Sequence, residues 1–317
     1  MHSKSAQAHG LHNRRRRHPR GIFLAAAVLI AISAGLVLVI STRNHSQRMY
    51  RDLAQLWKNG AYRDVYEESG RLLEYAPLDF FLLSLRGYAA YQLTLAQINT
   101  QDIQMYTDES ISALRKALLC NGGAGNGAVY YVLGKAYFEK GPDYANLTIK
   151  YLEDALAASY RAEDIPEYLG LAYAQIHEYR KSIAAFSEAL VPVAANEAGR
   201  GPSDILLLAI ARSYIELDEY DSANAYLLQC TETSKDFSVI ASAGLLLGKV
   251  LIKKGDTEGA ERQYLRILNE GGEQADARYE LGLLYAERGE TTKARAEWRK
   301  VLRLDPAYAP AIARLAM

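Results

Sequence analysis

Chemistry-bearing residues are scarce in this chain. Two cysteines, Cys120 and Cys230, are too few for a disulfide framework and have no metal-ligand spacing. Five of the six histidines lie in the first 45 residues, scattered among basic and polar positions, so they read as part of a basic tail. That leaves His177 as the one imidazole of the body, with no nucleophile or carboxylate that the sequence brings to it. The glycine-rich Asn121–Gly127 stretch lacks the Gly-Lys-Ser/Thr of a phosphate-cradling loop and follows a helix, so it reads as a linker. No enzyme, cofactor or metal site is expected. Net charge is also absent, since 37 basic residues balance 37 acidic ones. The balance hides a segregation: residues 1–45 hold seven basic side chains and no acidic one, leaving a mildly acidic body. An acidic body argues against nucleic acid as a ligand, because phosphate binding needs surplus lysine and arginine.

What the chain does have begins with the 19-residue apolar run Ile22–Ile40, interrupted only by Ser33 and Gly35. At ~1.5 Å rise per residue a helix of that length approaches the ~30 Å hydrocarbon core of a bilayer. Arg14–Arg17 and Arg20 precede it and only Arg43 follows closely. The positive-inside bias then keeps the short tail in the cytoplasm and puts the body on the far side. The expected organisation is a basic cytoplasmic tail (1–21), a transmembrane signal anchor (22–40), a linker (41–45), a repeat body (46–308) and a short cap or tail (309–317). A cleaved signal peptide, which would release a secreted soluble protein, is the competing reading of the same run. Ala27, Ala31 and Gly35 recur on one face of the run, a pattern compatible with a homo-oligomer through the membrane.

The body is periodic. Gly248 and Gly282 stand 34 residues apart, and their flanks superpose: Leu247 on Leu281, Gly255 on Gly289, Ala260 on Ala294, Tyr264 on Trp298. Leu281-Gly282-x-x-Tyr285, Ala294-x-x-x-Trp298 and Asp305-Pro306 resemble the tetratricopeptide-repeat (TPR) motif. Further copies are carried by Leu169-Gly170-x-x-Tyr173, Leu133-Gly134-x-x-Tyr137 and Ile210-Ala211-x-x-Tyr214, with weaker units around Gly60 and around Arg86-Gly87-Tyr88. The tryptophan slot of the motif is filled by Tyr130, Pro166, Gly244 and Arg278 instead. The resemblance covers about residues 46–308 in seven units and implies an all-α superhelical solenoid of helix-turn-helix hairpins. Each hairpin needs its neighbours to bury its apolar stripe. Ile98–Asp108 and Ala195–Ser203 are expected as an insertion and a linker.

In TPR proteins the first helix of each unit lines a concave groove that receives ligands. Carried onto this sequence, groove candidates are Tyr50, Trp57, Ser84, Tyr88, Tyr91, Tyr131, Lys135, Phe138, Arg212, Lys249 and Lys253. Aromatic rings and cations together suit an extended peptide or partner helix. The asparagines of the subgroup that clamps chaperone C-termini are missing from the matching positions. The expected function is therefore a membrane-anchored adaptor that binds other proteins in an extracytoplasmic compartment, probed against a small-ligand (lipid or glycan) binder.

Overall fold

The computed structural model describes residues 44–120, 126–195, 203–271 and 274–316. Among them the secondary structure is helical throughout: α1 (Asn44–Lys58), α2 (Tyr62–Leu73), α3 (Phe80–Leu95), α4 (Thr100–Cys120), α5 (Gly127–Lys140), α6 (Ala145–Ala157), α7 (Ile165–Gln175), α8 (Tyr179–Ala195), α9 (Asp204–Glu216), α10 (Tyr220–Thr233), α11 (Phe237–Lys253), α12 (Thr257–Gly271), α13 (Ala275–Glu287), α14 (Thr291–Leu304) and α15 (Ala309–Ala316). Helices α1 to α14 pair consecutively into the seven expected hairpins, and α15 follows as the cap. The chain divides into two compact units, the first ending at Val132 and the second beginning at Leu133. The predicted membrane span 22–40 lies outside the described residues. No helix among those described is long and apolar enough to cross a bilayer.

In the first unit, α1 and α3 run side by side. Tyr50 meets Phe81 edge-on at 5.0 Å and Trp57 meets Tyr88 at 6.5 Å, two contacts at the same sequence offset. Asp79 fixes the turn between the hairpins. One of its carboxylate oxygens accepts from the Leu82 amide and caps α3; the other accepts from the Tyr50 hydroxyl at 2.8 Å. Helix α4 returns antiparallel along α3: Thr94 faces Thr107, and the Ser110 hydroxyl donates to the Gly87 carbonyl. The expected 98–108 insertion is a correction, because α4 starts at Thr100 and runs without a break. Asn99 starts it, with its side chain accepting from the Gln101 amide and its carbonyl from Ile103. Tyr106, Thr107, Ser110, Ile111 and Leu114 then keep one face buried at helical spacing.

The second unit is a run of hairpins with apolar seams. Phe186, Leu206 and Ile210 join α8 to α9. Leu207, Ala211, Leu227, Cys230 and Leu247 join α9, α10 and α11. Tyr264, Leu281, Tyr285, Trp298 and Ala311 carry the core on through α14 to α15. Where a first helix carries glycine at the small position of the motif, its partner comes into close contact. An added Cβ would fall 2.3 Å from Tyr264 Cε1 at Gly248, 2.4 Å from Trp298 Nε1 at Gly282 and 2.5 Å from Phe186 at Gly170. Glycine stands there because no side chain fits.

The turns inside the hairpins need a left-handed residue. Gly60, Gly255 and Gly289 supply it at φ 72°, 86° and 76°. In the fourth and fifth hairpins His177 (φ 62°) and Asp218 (φ 57°) occupy that place instead. Side chains at this end of the second unit also link each hairpin to the next. Tyr173 donates to Glu153 at 2.6 Å, Tyr179 to Glu216 at 3.3 Å, Lys254 pairs with Asp221 at 2.5 Å, and Tyr285 donates to Glu261 at 2.9 Å.

Candidate functional site

The first helices of the second unit form a layer, with α7 against α9, α9 against α11, and α11 against α13. Each offers a face at helical spacing. On α9 this face carries Ile205, Leu208, Arg212 and Ile215; on α11, Leu245, Lys249, Ile252 and Lys253; on α13, Tyr279, Leu283 and Glu287. Arg212, Lys249 and Lys253 are exposed, and the apolar residues between them are half-buried apart from the exposed Ile205 and buried Leu208. Arg212 and Lys249 each follow the small residue of the motif, Ala211 and Gly248, so the cation recurs in one repeat slot. Lys249 reaches Glu280 on α13 at 2.9 Å and bridges adjacent first helices.

The other candidates divide by burial. Tyr50, Trp57, Ser84, Tyr88, Tyr91 and Tyr131 are buried, at 7 %, 6 %, 5 %, 4 %, 2 % and 4 % exposure. These side chains pack between helices and present little surface to a ligand, which corrects the expectation of an aromatic half-groove. The physical reason is the length of an aromatic side chain: on a first helix it reaches the seam with the next hairpin, where burial of apolar area is favourable. Lys135 shares the slot of Arg212 and Lys249 but is only 5 % exposed. Its ammonium donates to Asp164 at 2.7 Å and lies 4.5 Å above the Tyr168 ring. Phe138, half-buried, meets Tyr168 edge-on at 5.0 Å. Burial beside this pair raises the Glu139 carboxyl, against the pull of Lys135. The cluster is thus a charge-compensated joint between α5 and α7, and the accessible cations of the face are Arg212, Lys249 and Lys253.

Sequence reasoning also missed a buried ion pair. Arg278, which fills the tryptophan slot, donates to Glu297 at 2.8 Å with both side chains under 15 % exposed, and Lys300 holds the other Glu297 oxygen at 2.5 Å. The opposed charges nineteen residues apart were the available signal, because 278 and 297 face each other once the hairpin closes. His177 is exposed in its turn, with Nδ1 2.6 Å from the Tyr179 hydroxyl.

The tetratricopeptide-repeat family model matches residues 206–237 and 245–309. No curated protein matches the chain in sequence. Among solved structures it resembles the C-terminal part of a TPR repeat-containing protein from Cytophaga hutchinsonii, with 19 % identity and a TM-score of 0.59 over 84 % of this chain and 99 % of that one. It also resembles pilF of Pseudomonas aeruginosa, with 17 % identity and a TM-score of 0.51 over 73 % of this chain and 96 % of that one. At such identities the likeness concerns the fold alone. TPR proteins serve as protein-interaction scaffolds, and some of them bind peptides. The matched repeats at 206–237 and 245–309, the 34-residue period and the helical hairpins, five of which bring a second helix onto a glycine of the first, support the tetratricopeptide-repeat family for this chain.

Proposed function

We propose that this protein is a non-enzymatic, membrane-anchored scaffold that holds an acidic segment of a partner protein along the faces of α9, α11 and α13. The observation that carries the reading is the recurrence of an exposed cation, Arg212 then Lys249, in one slot of first helices that lie against each other. An extended segment or helix laid across that layer would set its carboxylates on Arg212 and Lys253. Its apolar residues would cover Ile205, Ile215, Ile252 and Leu283. Anchoring through residues 22–40, with the tail in the cytoplasm and the repeats on the extracytoplasmic side, is supported by the apolar run and the basic residues before it.

The test is crosslinking in intact cells, comparing the full chain with an Arg212→Glu, Lys253→Glu variant and with Lys181→Glu, a control on the exposed side of the second helix α8. We expect the double variant to lose specific protein adducts that the control retains. If all three give the same adducts, partner binding does not use this face. The mass of the mature protein distinguishes the anchor from a cleaved leader.

A further inference from the structure

The first unit carries exposed apolar residues at the end where the N-terminal segment enters. Tyr75 and Leu78, in the turn between α2 and α3, are 87 % and 73 % exposed, and Leu119, in the last turn of α4, is 81 % exposed. The three share one end of the unit. Leu78 immediately precedes the Asp79 cap of α3, and antiparallel α4 brings its last turn back to that level, as the Thr94–Thr107 and Gly87–Ser110 contacts require. Helix α1 starts at the same end. Its Tyr50 bonds to Asp79 and stacks edge-on against Phe81, so continuing α1 back to Asn44 reaches the level of the Glu74–Asp79 turn.

That turn is held in shape. Tyr75 and Ala76 amides donate to the Leu72 carbonyl, the Asp79 amide donates to Ala76, and Pro77 stiffens the middle. Its exposed side chains are therefore displayed by a fixed backbone. Arg115 and Lys116 stand exposed on the last turns of α4, against Glu74 as the exposed carboxylate of the turn; Arg71 there is engaged by Glu68. A tyrosine, two leucines and a surplus of cations at one edge match the composition that settles at a bilayer interface, where rings and aliphatic tips enter the headgroup layer and cations meet anionic lipid.

The covalent chain limits where that edge can go. The apolar run ends at Ile40 and α1 begins at Asn44, four residues later, a reach of about 14 Å at most. From this we infer that the Tyr75–Leu78 turn, with Leu119, is a docking edge that rests on the anionic lipid surface of the membrane holding residues 22–40. The inference rests on the anchor reading of that run. It gives the first unit a task apart from partner capture: it sets the angle at which the first unit itself leaves the membrane.

The experiment places a photo-reactive diazirine residue in the full chain at position 78, at 98, or at 30, and reconstitutes each protein in vesicles of phosphatidylethanolamine and phosphatidylglycerol. Ile98 is the internal control, because it is 99 % exposed and equally apolar but lies at the opposite end of α3. Lipid adducts at 30 and 78, several-fold stronger at 78 than at 98, support the docking edge. A Tyr75→Asp, Leu119→Asp background should then abolish the adduct at 78 and leave the one at 30. Adducts at 30 without any at 78 overturn the docking edge while the anchor stands. Equal yields at 78 and 98 also overturn it, as does a protein adduct at 78 in place of lipid. No adduct at 30 overturns the anchor and the docking edge together.

Discussion

Gly248 lies beneath the ring of Tyr264: a Cβ at 248 would sit 2.3 Å from Cε1 and 2.9 Å from the hydroxyl oxygen. The ring is fully buried, and its hydroxyl has no hydrogen-bond partner. Gly248→Ala should therefore destabilise the second unit by about 1–3 kcal/mol through overpacking. Tyr264→Phe removes a stranded donor without changing the shape, so it should be neutral or stabilise by about 1 kcal/mol. Denaturant melts of both variants and of Gly248→Ala with Tyr264→Leu check this. The double variant should be less destabilised than the sum, since the smaller side chain vacates the space the new methyl needs.

His177 should be replaceable with profit. Its φ of 62° is a left-handed conformation that glycine adopts without strain. His177→Gly should raise stability by about 0.5–1 kcal/mol, the exposed contact to Tyr179 being a small loss. Gly289→Ala, at φ 76° with nothing within 4 Å, should lower it by about 1 kcal/mol from backbone strain alone. Thermal melts of the two variants should move in opposite directions.

Lys135 and Arg212 hold the same repeat slot but should respond differently. Lys135→Ala strips the partner from Asp164 at a site where lysine is 5 % exposed. Because the Asp164 side chain is about one-third exposed, a loss of about 1–3 kcal/mol is expected, less than for a fully buried pair. Arg212→Ala, on an exposed side chain, should leave the melting curve within about 0.5 kcal/mol of the parent and act on partner adducts alone.

Alkaline pH should unfold the second unit. Burial first, and the nearby Asp204 second, push the Cys230 thiol from its ordinary 9.0 to about 11. Burial and then the bond to Glu261 lift Tyr285 to about 12, and burial with the bond to Glu153 does the same for Tyr173. All three groups have raised values in the folded state. The stability they contribute is complete below their unfolded values, near 9 for the thiol and 10 for the phenols, and is lost as pH climbs through about 11 and 12. Helical circular dichroism should begin to fall above pH 9. Cys230→Ala should delay the onset and lose the contribution of the thiol, while thiol labelling of the native protein below pH 9 should modify half-buried Cys120 ahead of Cys230.

The repeat body was legible because the motif records close packing. A glycine at 248 or 282 and an aromatic sixteen residues on are each demanded by a contact the structure contains, so their spacing reports hairpin geometry directly, and Pro306 stands just past the end of α14, where a helix stops. The extent of α4 was less legible: Gln97-Ile98-Asn99-Thr100 reads as polar connection, and Asn99 marks a helix start only once its side chain meets the Gln101 amide. The binding face was legible only in part. Register places Tyr88, Tyr131, Lys135 and Arg212 equally on first helices, but which of them reaches solvent depends on the neighbouring hairpin. Asp164 neutralises Lys135 and the seams take in the rings, while nothing comparable covers Arg212. That information is tertiary, and a single helix pattern does not contain it.

The hand-to-hand bonds at the turns of the second unit have a mechanical meaning. Glu153 with Tyr173, Tyr179 with Glu216, Asp221 with Lys254, and Glu261 with Tyr285 and Arg288 each fasten one hairpin only to the following one. A pull on the C-terminus is therefore borne by joints in series, and the tension at every joint is the same. The weakest gives way first while the rest hold, so the unit would lengthen in hairpin-sized steps and recoil by the same steps when the load falls.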